Sequence, residues 1–332
     1  LTLGNSFTQD GNFWGISLDH PNYDIDEYTD TAYVFNGVMD WSADSMIYSK
    51  SKAYMPSTND PTNGKIYGDA NIIFDDLGST GYISLMTYNG TIAPDKVIHP
   101  ILSKSINGGY NWSPVFGPNL DNLVDNASGD SLKDIFANIT SGWTIGHLTS
   151  STRGHDLALD ANGRPHTFMH VFPGKGTNNG TGTLAGDFVN YPGVHLIVDI
   201  YLDNGLWKCN VLKQVYTFDY AYDVINGPVT EANRPQISMS PNREWLFFSW
   251  FETDTSFVNG TENQYPDWYV SVYDVNGDSL FNQFTKLPSF GDRHFANVSE
   301  WAFDNGDNTY DLHSVFSDIN PTTLNVLSPM DH

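Results

Sequence analysis

Five arginines serve a chain of 332 residues, and three of them, Arg153, Arg234 and Arg293, each stand just before an alternating apolar run. His155 and His294 lie beside two of them. A guanidinium is a planar fork that pairs with a carboxylate through two hydrogen bonds. Three such forks at one mouth, with the two histidines, would form a ligand-binding focus for an anion in an otherwise acidic protein. The other reading is that each arginine pairs with a neighbouring Asp and braces a wall. Glutamate is scarce, with six in the chain. Glu231 and Glu300 lie near the starts of repeated modules, and Tyr310 opens a second strand. Two carboxylates that cut a glycosidic bond must stand ~5–10 Å apart. The sequence does not show any pair meeting, so the catalytic residues stay unknown at this stage.

Oxygen ligands cluster in two short stretches, Asp274, Asn276 and Asp278, and Asp304 with Asp307. Such donors suit Ca²⁺, the one candidate cofactor. Neither stretch continues into the twelve-residue loop with a final Glu that an EF-hand needs, and a plain hairpin turn uses the same residues. His166 and His170 are four apart. In a strand that spacing puts them on one face about 13 Å apart, too far for one metal. The chain has no phosphate-cradling Gly-rich loop after a strand, no Gly-x-Ser-x-Gly and no His-Glu-x-x-His.

A turn-and-return figure recurs along the chain and must position these residues. Leu1–Phe7 leads through Asp10-Gly11 to Phe13–Leu18, and Ala70–Phe74 through Asp75-Asp76 to Tyr82–Tyr88. Asp156–Leu159 leads through Asn162-Gly163 to His166–Phe172. Ile237–Met239 leads through Ser-Pro-Asn to Trp245–Phe251, and Val298–Phe303 through Asn305-Gly306 to Tyr310–Phe316. Asp/Asn-Gly centres tolerate the positive φ of hairpin turns. Further strands follow: Thr31–Val38 and Ser45–Tyr48 after the first figure, Val194–Tyr201 and Trp207–Val211 after the third, Trp268–Tyr273 and Leu280–Phe284 after the fourth. Tandem four-stranded antiparallel units are the blades of a β-propeller. The expected fold is all-β, one propeller domain over 1–332 with five readable modules and five to seven blades. Ser131–Asn138 is the one expected helix, and Thr322–Leu327 is a late strand that would complete a blade.

Composition supports strands and turns. There are 20 Phe, 18 Tyr, 9 Trp, 29 Gly and 17 Pro, and of 39 acidic residues all but six are Asp. Asp favours turns, where its short side chain bonds the local backbone. A net charge of −24 repels nucleic-acid phosphates and excludes that partner. No apolar run approaches the ~20 residues of a membrane helix, so no membrane insertion is expected. A single Cys209 supplies neither disulfide framework nor zinc site. The first residues read as a strand, so the chain is expected to be a mature piece of a longer exported protein.

Ser105-Ile106-Asn107-Gly108-Gly109-Tyr110-Asn111-Trp112 resembles an Asp-box, the S-x-D-x-G-x-T-W turn of sialidase-like propellers. Ser105, Gly109 and Trp112 are in register, Asn107 replaces the Asp and Asn111 the Thr. The motif is structural: its polar groups bond the turn and its ring packs between strands. The resemblance implies a propeller, and in sialidases three arginines clamp a substrate carboxylate beside a Tyr nucleophile, its Glu base and an Asp acid. LDANGRPHTFMHV and NRPQISMSPNREWLFFSW also resemble propeller modules of secreted Bacteroidetes-type proteins, many exported by the type IX route. That likeness implies a bacterial extracellular or cell-surface location and contact with export or surface-attachment machinery. It makes Thr31, Ser45, Ser131 and Ser279, each after an Asp and before an apolar residue, candidate O-glycan acceptors. The expected function is a binding or scaffold module with carbohydrate or protein at the propeller face. The rivals are a sialidase-like glycoside hydrolase or polysaccharide lyase, and a passive cargo or spacer segment.

Overall fold

The structure, a computed structural model, describes residues 2–8, 11–18, 31–54, 66–88, 98–115, 117–136, 144–146, 154–176, 188–190, 195–218, 233–256, 260–281, 285–287 and 293–318. It is all-β, built from four-stranded antiparallel meanders of the propeller-blade type. The first runs β1 (Thr2–Phe7), β2 (Phe13–Leu18), β3 (Thr31–Asp40), β4 (Ser45–Tyr54). The second runs β5 (Ile66–Phe74), β6 (Gly81–Tyr88), β7 (Ile98–Ser105), β8 (Ser113–Val115). After a short helix α1 (Leu132–Ile135) and β9 (Thr144–Gly146), the third meander begins with β10 (His155–Leu159) and β11 (Pro165–Gly176). β12 (Phe188–Asn190) and β9 pair with β11, and β13 (His195–Asp203) and β14 (Leu206–Val215) complete the sheet. The fourth is β15 (Gln236–Met239), β16 (Trp245–Thr253), β17 (Pro266–Asp274), β18 (Ser279–Leu280), with β19 (Thr285–Leu287) also on β17.

The recurrent turn has one construction. The backbone N–H of Thr8, Asp75, Asp160, Ser240 and Asn305 donates to the carbonyl of Asn12, Thr80, Arg164, Trp245 and Thr309, at 2.8–3.1 Å. In the first four the side chain at that position, Thr8, Asp75, Asp160 or Ser240, then accepts from the turn backbone. Asp75 accepts from the N–H of Ser79 and Thr80 at 2.7 and 3.0 Å, and the Ser240 hydroxyl from that of Trp245 at 3.0 Å. These short side chains satisfy backbone donors that the turn leaves without strand partners.

The fifth figure departs from expectation. Val298–Phe303 is not one strand. β20 (Arg293–Val298) pairs with β23 (Ser314–Asp318), and β21 (Phe303–Asp304) with β22 (Tyr310–Asp311), in two separate ladders. Between them the Ser299 hydroxyl donates to the Trp301 carbonyl at 2.9 Å, a local bond that competes with the ladder. Glu300 and Ala302 bond Met239 instead: Met239 N–H to the Glu300 carbonyl and Ala302 N–H to the Met239 carbonyl, both 2.8 Å. The expected helix shrinks to α1, capped by Ser131, whose hydroxyl accepts from the Asp134 N–H. Thr322–Leu327 lies outside the described residues, as does most of the Gly174–Leu184 loop.

The chain forms two compact units, 1–151 with 171–191 and 201–209, and 152–170 with 192–200 and 210–332. In the first, Trp14 stacks on Phe74 at 4.2 Å within a core of Ile16, Val34, Ile72, Ile83 and Ile101. Gly78, at φ +63, lies against Trp14, where an added Cβ would come within 2.5 Å of the ring. Only a residue without a Cβ meets both demands. In the second unit the fourth sheet is apolar on both faces. Phe248 meets Phe168 on one side at 4.9 Å, while Phe247, Phe251, Trp268 and Val270 meet Ala302 and Tyr310 on the other. The first strands β10, β15 and β20 of its successive modules lie side by side.

Candidate functional site

Apart from the Lys213–Glu252 ion pair, two charged clusters lie among the described residues of this second unit. One starts at Asp160, where β10 turns. Its Oδ1 accepts from the N–H of Asn162 and Arg164 at 2.9 and 2.8 Å, and its Oδ2 from Arg164 Nε at 2.6 Å. Arg164 continues to Asp278 at 2.7 Å and the Tyr273 hydroxyl at 3.3 Å. His166 stands between two carboxylates, Nδ1 at 3.0 Å from Asp199 and Nε2 at 3.3 Å from Asp160, and Asn210 donates to Asp199 at 3.1 Å. Burial alone would drive a proton off His166, but the charge of Asp199 and the bond to Asp160 outweigh it and push the imidazolium up to about 9. Burial likewise works against the Asp160 charge, yet the bonds from His166 and Arg164 hold that carboxyl below its usual value. His166 and Asp199 have no exposed surface. The fully bonded Asp160–His166–Asp199 centre of this array, closed to solvent, binds strands together and has no room for a substrate.

The second cluster has access. Glu300 occupies the break between β20 and β21 and is half-buried. Burial first, and then the charge of Asp156, push its carboxyl up to about 7; Arg243 opposes the shift and does not cancel it. Glu300 Oε1 is buried with no hydrogen-bond partner among the described residues. Asp156 is held by backbone: Oδ1 accepts from the Leu157 N–H and Oδ2 from the Ile237 N–H, both 2.8 Å. Arg243 donates to the Leu159 carbonyl at 3.3 Å, and its guanidinium lies 5.1 Å from the Trp301 ring centre. One carboxylate is thus fixed as an anion acceptor of two N–H groups, and beside it a second carboxyl keeps its proton near neutrality. A carboxyl raised by burial and by a neighbouring carboxylate is a candidate general acid.

The residues singled out from sequence fare unevenly. Arg153 and Glu231 lie outside the described residues, and Arg293 and His294 are placed only as backbone in β20. Arg234 sits at φ +41 before β15, half-buried, and His155 is buried. Glu300 feels the charges of Asp156 and Arg243, whereas the phenol of Tyr310 is pushed up by its partial burial and by the charges of Asp304 and Glu244. The proposed calcium ligands serve the turns: Asp274 Oδ1 accepts from the N–H of Asn276 and Gly277, Asp304 from that of Gly306, Asp307 from that of Thr309. Asp278 faces Arg164. Among the described residues no three His, Cys, Asp or Glu side chains converge as a metal site. His170 lies 2.7 Å from His195 rather than near His166. Between β7 and β8, Ser105 Oγ accepts from the Gly109 N–H at 3.0 Å, Asn107 from the Asn111 N–H at 2.9 Å, and Trp112 donates to the Gly109 carbonyl at 2.9 Å.

Sequence reasoning missed Asp156, Asp199, Arg164 and Arg243. A signal existed for Asp199, a lone charge inside the apolar run His195–Leu202, because a buried charge must be paired. Arg164 and Arg243 share a place at the end of a recurrent turn, before a bulky strand. Asp156 carried no signal of its own among so many aspartates.

No protein-family model matches the chain, and no curated protein matches it. Solved structures do. The α-L-arabinofuranosidase Arb93A of Fusarium graminearum, with an iminosugar inhibitor, is similar at TM-score 0.47 and 10% identity over 95% of this chain and 74% of the other. The Penicillium chrysogenum α-L-arabinanase with arabinobiose gives 0.46 and 10% over 95% and 74%. A GH43 protein from a capybara gut metagenome gives 0.40 and 14% over 96% and 51%. These similar structures are glycoside hydrolases, against the expectation of a non-catalytic binding or scaffold module. At such scores the likeness assigns this chain no residue and no substrate.

Proposed function

We propose that the protein is a glycoside hydrolase with Glu300 as general acid and Asp156 as its anionic partner. The observation that carries this reading is the half-buried Glu300, protonated up to about pH 7 beside a carboxylate fixed by two backbone N–H groups. Glu300 gives its proton to the leaving oxygen as the C–O bond breaks. The Asp156 charge opposes the positive charge that develops on the sugar ring, a transition state of oxocarbenium character. Water adds to the anomeric carbon and returns a proton. Arg243, with its guanidinium near the Trp301 ring, limits how far the Glu300 carboxyl rises.

The arabinobiose held by one of the similar structures sets the first substrates to try. Aryl α-L-arabinofuranosides and arabinan oligosaccharides come first, other neutral aryl glycosides next, and an aryl sialoside tests the sialidase-like alternative. Turnover that falls as pH rises through about 7 and collapses in Glu300→Gln supports the reading. Turnover of no glycoside, or an unchanged rate in Glu300→Gln, overturns it. The hydrogen bonds of the Ser105–Trp112 turn favour kinship with Asp-box propellers. An exported, cell-surface setting suits an enzyme that acts on polymers too large to enter a cell.

A further inference from the structure

Away from Glu300, the fourth sheet leaves part of one face open. Trp245, Phe247 and Val272 on that face, with Phe281 and the β22 residue Tyr310, line a cleft of about 340 Å³ whose polar edge is Asn308. The short β21–β22 hairpin explains the opening. Two residues per strand cover Phe247, where Tyr310 approaches to 5.4 Å, and leave the end of the face at Trp245 and Phe281 uncovered. Phe281 is 50% exposed, and its ring lies 6.2 Å from Trp245 at an interplanar angle of 29°.

We infer that this cleft binds a ring of a neutral glycan, stacked on Trp245 and Phe281 and hydrogen-bonded at Tyr310 and Asn308. Rings that tilt little from one another offer flat faces of negative quadrupole, which suit the C–H face of a sugar. A volume near the lower end of small-molecule sites fits one ring or two. The electrostatics select among glycans. Burial first, and then the charges of Asp304 and Glu244, raise the Tyr310 phenol, which stays a donor, and the same negative charge disfavours an acidic sugar. Asn308, at φ +65, forms part of the rim. The inference deepens the hydrolase reading and rests on it for the choice of sugar: the cleft would hold a part of the polymer remote from the bond that is cut.

Binding is measured by calorimetry and Trp fluorescence on the Glu300→Gln protein, so that it does not depend on turnover. The probes are the hexamers of arabinose, xylose and glucose, with oligogalacturonate as the anionic counterpart. The expected result is saturable binding of at least one neutral hexamer, weakened about ten- to a hundredfold in Phe281→Ala and Trp245→Ala, and none of oligogalacturonate. Phe281 is half exposed, so its replacement tests the cleft even if Trp245→Ala fails to fold. Unchanged affinity in Phe281→Ala, tighter binding of the anionic chain, or no neutral binding up to about 10 mM overturns the inference. Turnover of a small aryl glycoside by wild type with no such binding sinks the cleft and leaves the hydrolase. Binding that depends on Phe281 in a protein that cuts no glycoside does the reverse.

Discussion

The Asp160–His166–Asp199 array and the Glu300–Asp156 pair use the same kinds of group to opposite ends. Both place carboxyls close together within a β-sheet protein. In the first, each carboxylate meets a cation or an N–H, and His166 gains a charge that its burial alone would remove. In the second, Arg243 opposes the shift of Glu300 without cancelling it, and Glu300 keeps its proton. The difference is one of charge balance, since desolvation acts against ionisation in both. A balanced buried array contributes structure; an unbalanced, half-open pair stores a proton that can be given away.

The largest effect expected from breaking this contrast is on turnover. Glu300→Gln keeps the shape and removes the acid, and kcat should fall by about 10²–10⁴-fold, read with an aryl glycoside whose leaving group needs protonation. A leaving group of low pKa should rescue part of that loss. Equal loss for both leaving groups would deny Glu300 the role of acid. The buried array should respond in stability instead. His166→Leu leaves Asp160 and Asp199 facing an apolar side chain, and stability should drop by about 3–5 kcal/mol, seen as a lower denaturant midpoint. A neutral result would mean that the array is as well replaced by packing as by charge.

The pH dependence separates the two regions by sign. The folded pKa of His166 lies above its unfolded value of 6.5, so its contribution is complete below about 6.5 and disappears as pH rises through about 9. Wild type should therefore lose on the order of 3 kcal/mol across that window, a slope that His166→Leu lacks. Parallel thermal-midpoint curves for the two proteins between pH 6.5 and 9 would show His166 to be neutral in the folded state.

The hairpins were legible in the sequence because alternation and turn chemistry are local. Phe13–Leu18 is β2 to the residue, and Trp245–Phe251 lies within β16. Elements whose form depends on distant partners were not. β4 runs on to Tyr54 because all of β3 lies beside it, from Thr31 opposite Tyr54 to Asp40 opposite Ser45. The break at Ser299–Ala302 depends on Met239, some sixty positions earlier. Glu300 was noticed as one of few glutamates, yet its partner was not, because Asp156 gains meaning only when β10, β15 and β20 lie side by side. Nothing local in the sequence revealed the carboxyl pair.

The smallest expected effect is the most direct test of the contrast. Glu300 has a folded pKa above its unfolded one, so the folded state binds more protons between about 4.5 and 7, and wild type loses stability as pH rises through that window. Glutamine bears no such cost. Glu300→Gln should match wild type near pH 4.5 and exceed it above pH 7 by about 1–2 kcal/mol, after allowance for the screening that its partial exposure permits. The measurement is the difference in thermal midpoint between the two proteins at pH 4.5, 6 and 8. A difference that widens with pH, in the very variant that has lost turnover, marks a carboxyl kept at the expense of the fold. A difference that stays flat would place Glu300 among the ordinary surface acids, and the acid of the reaction would have to be another residue.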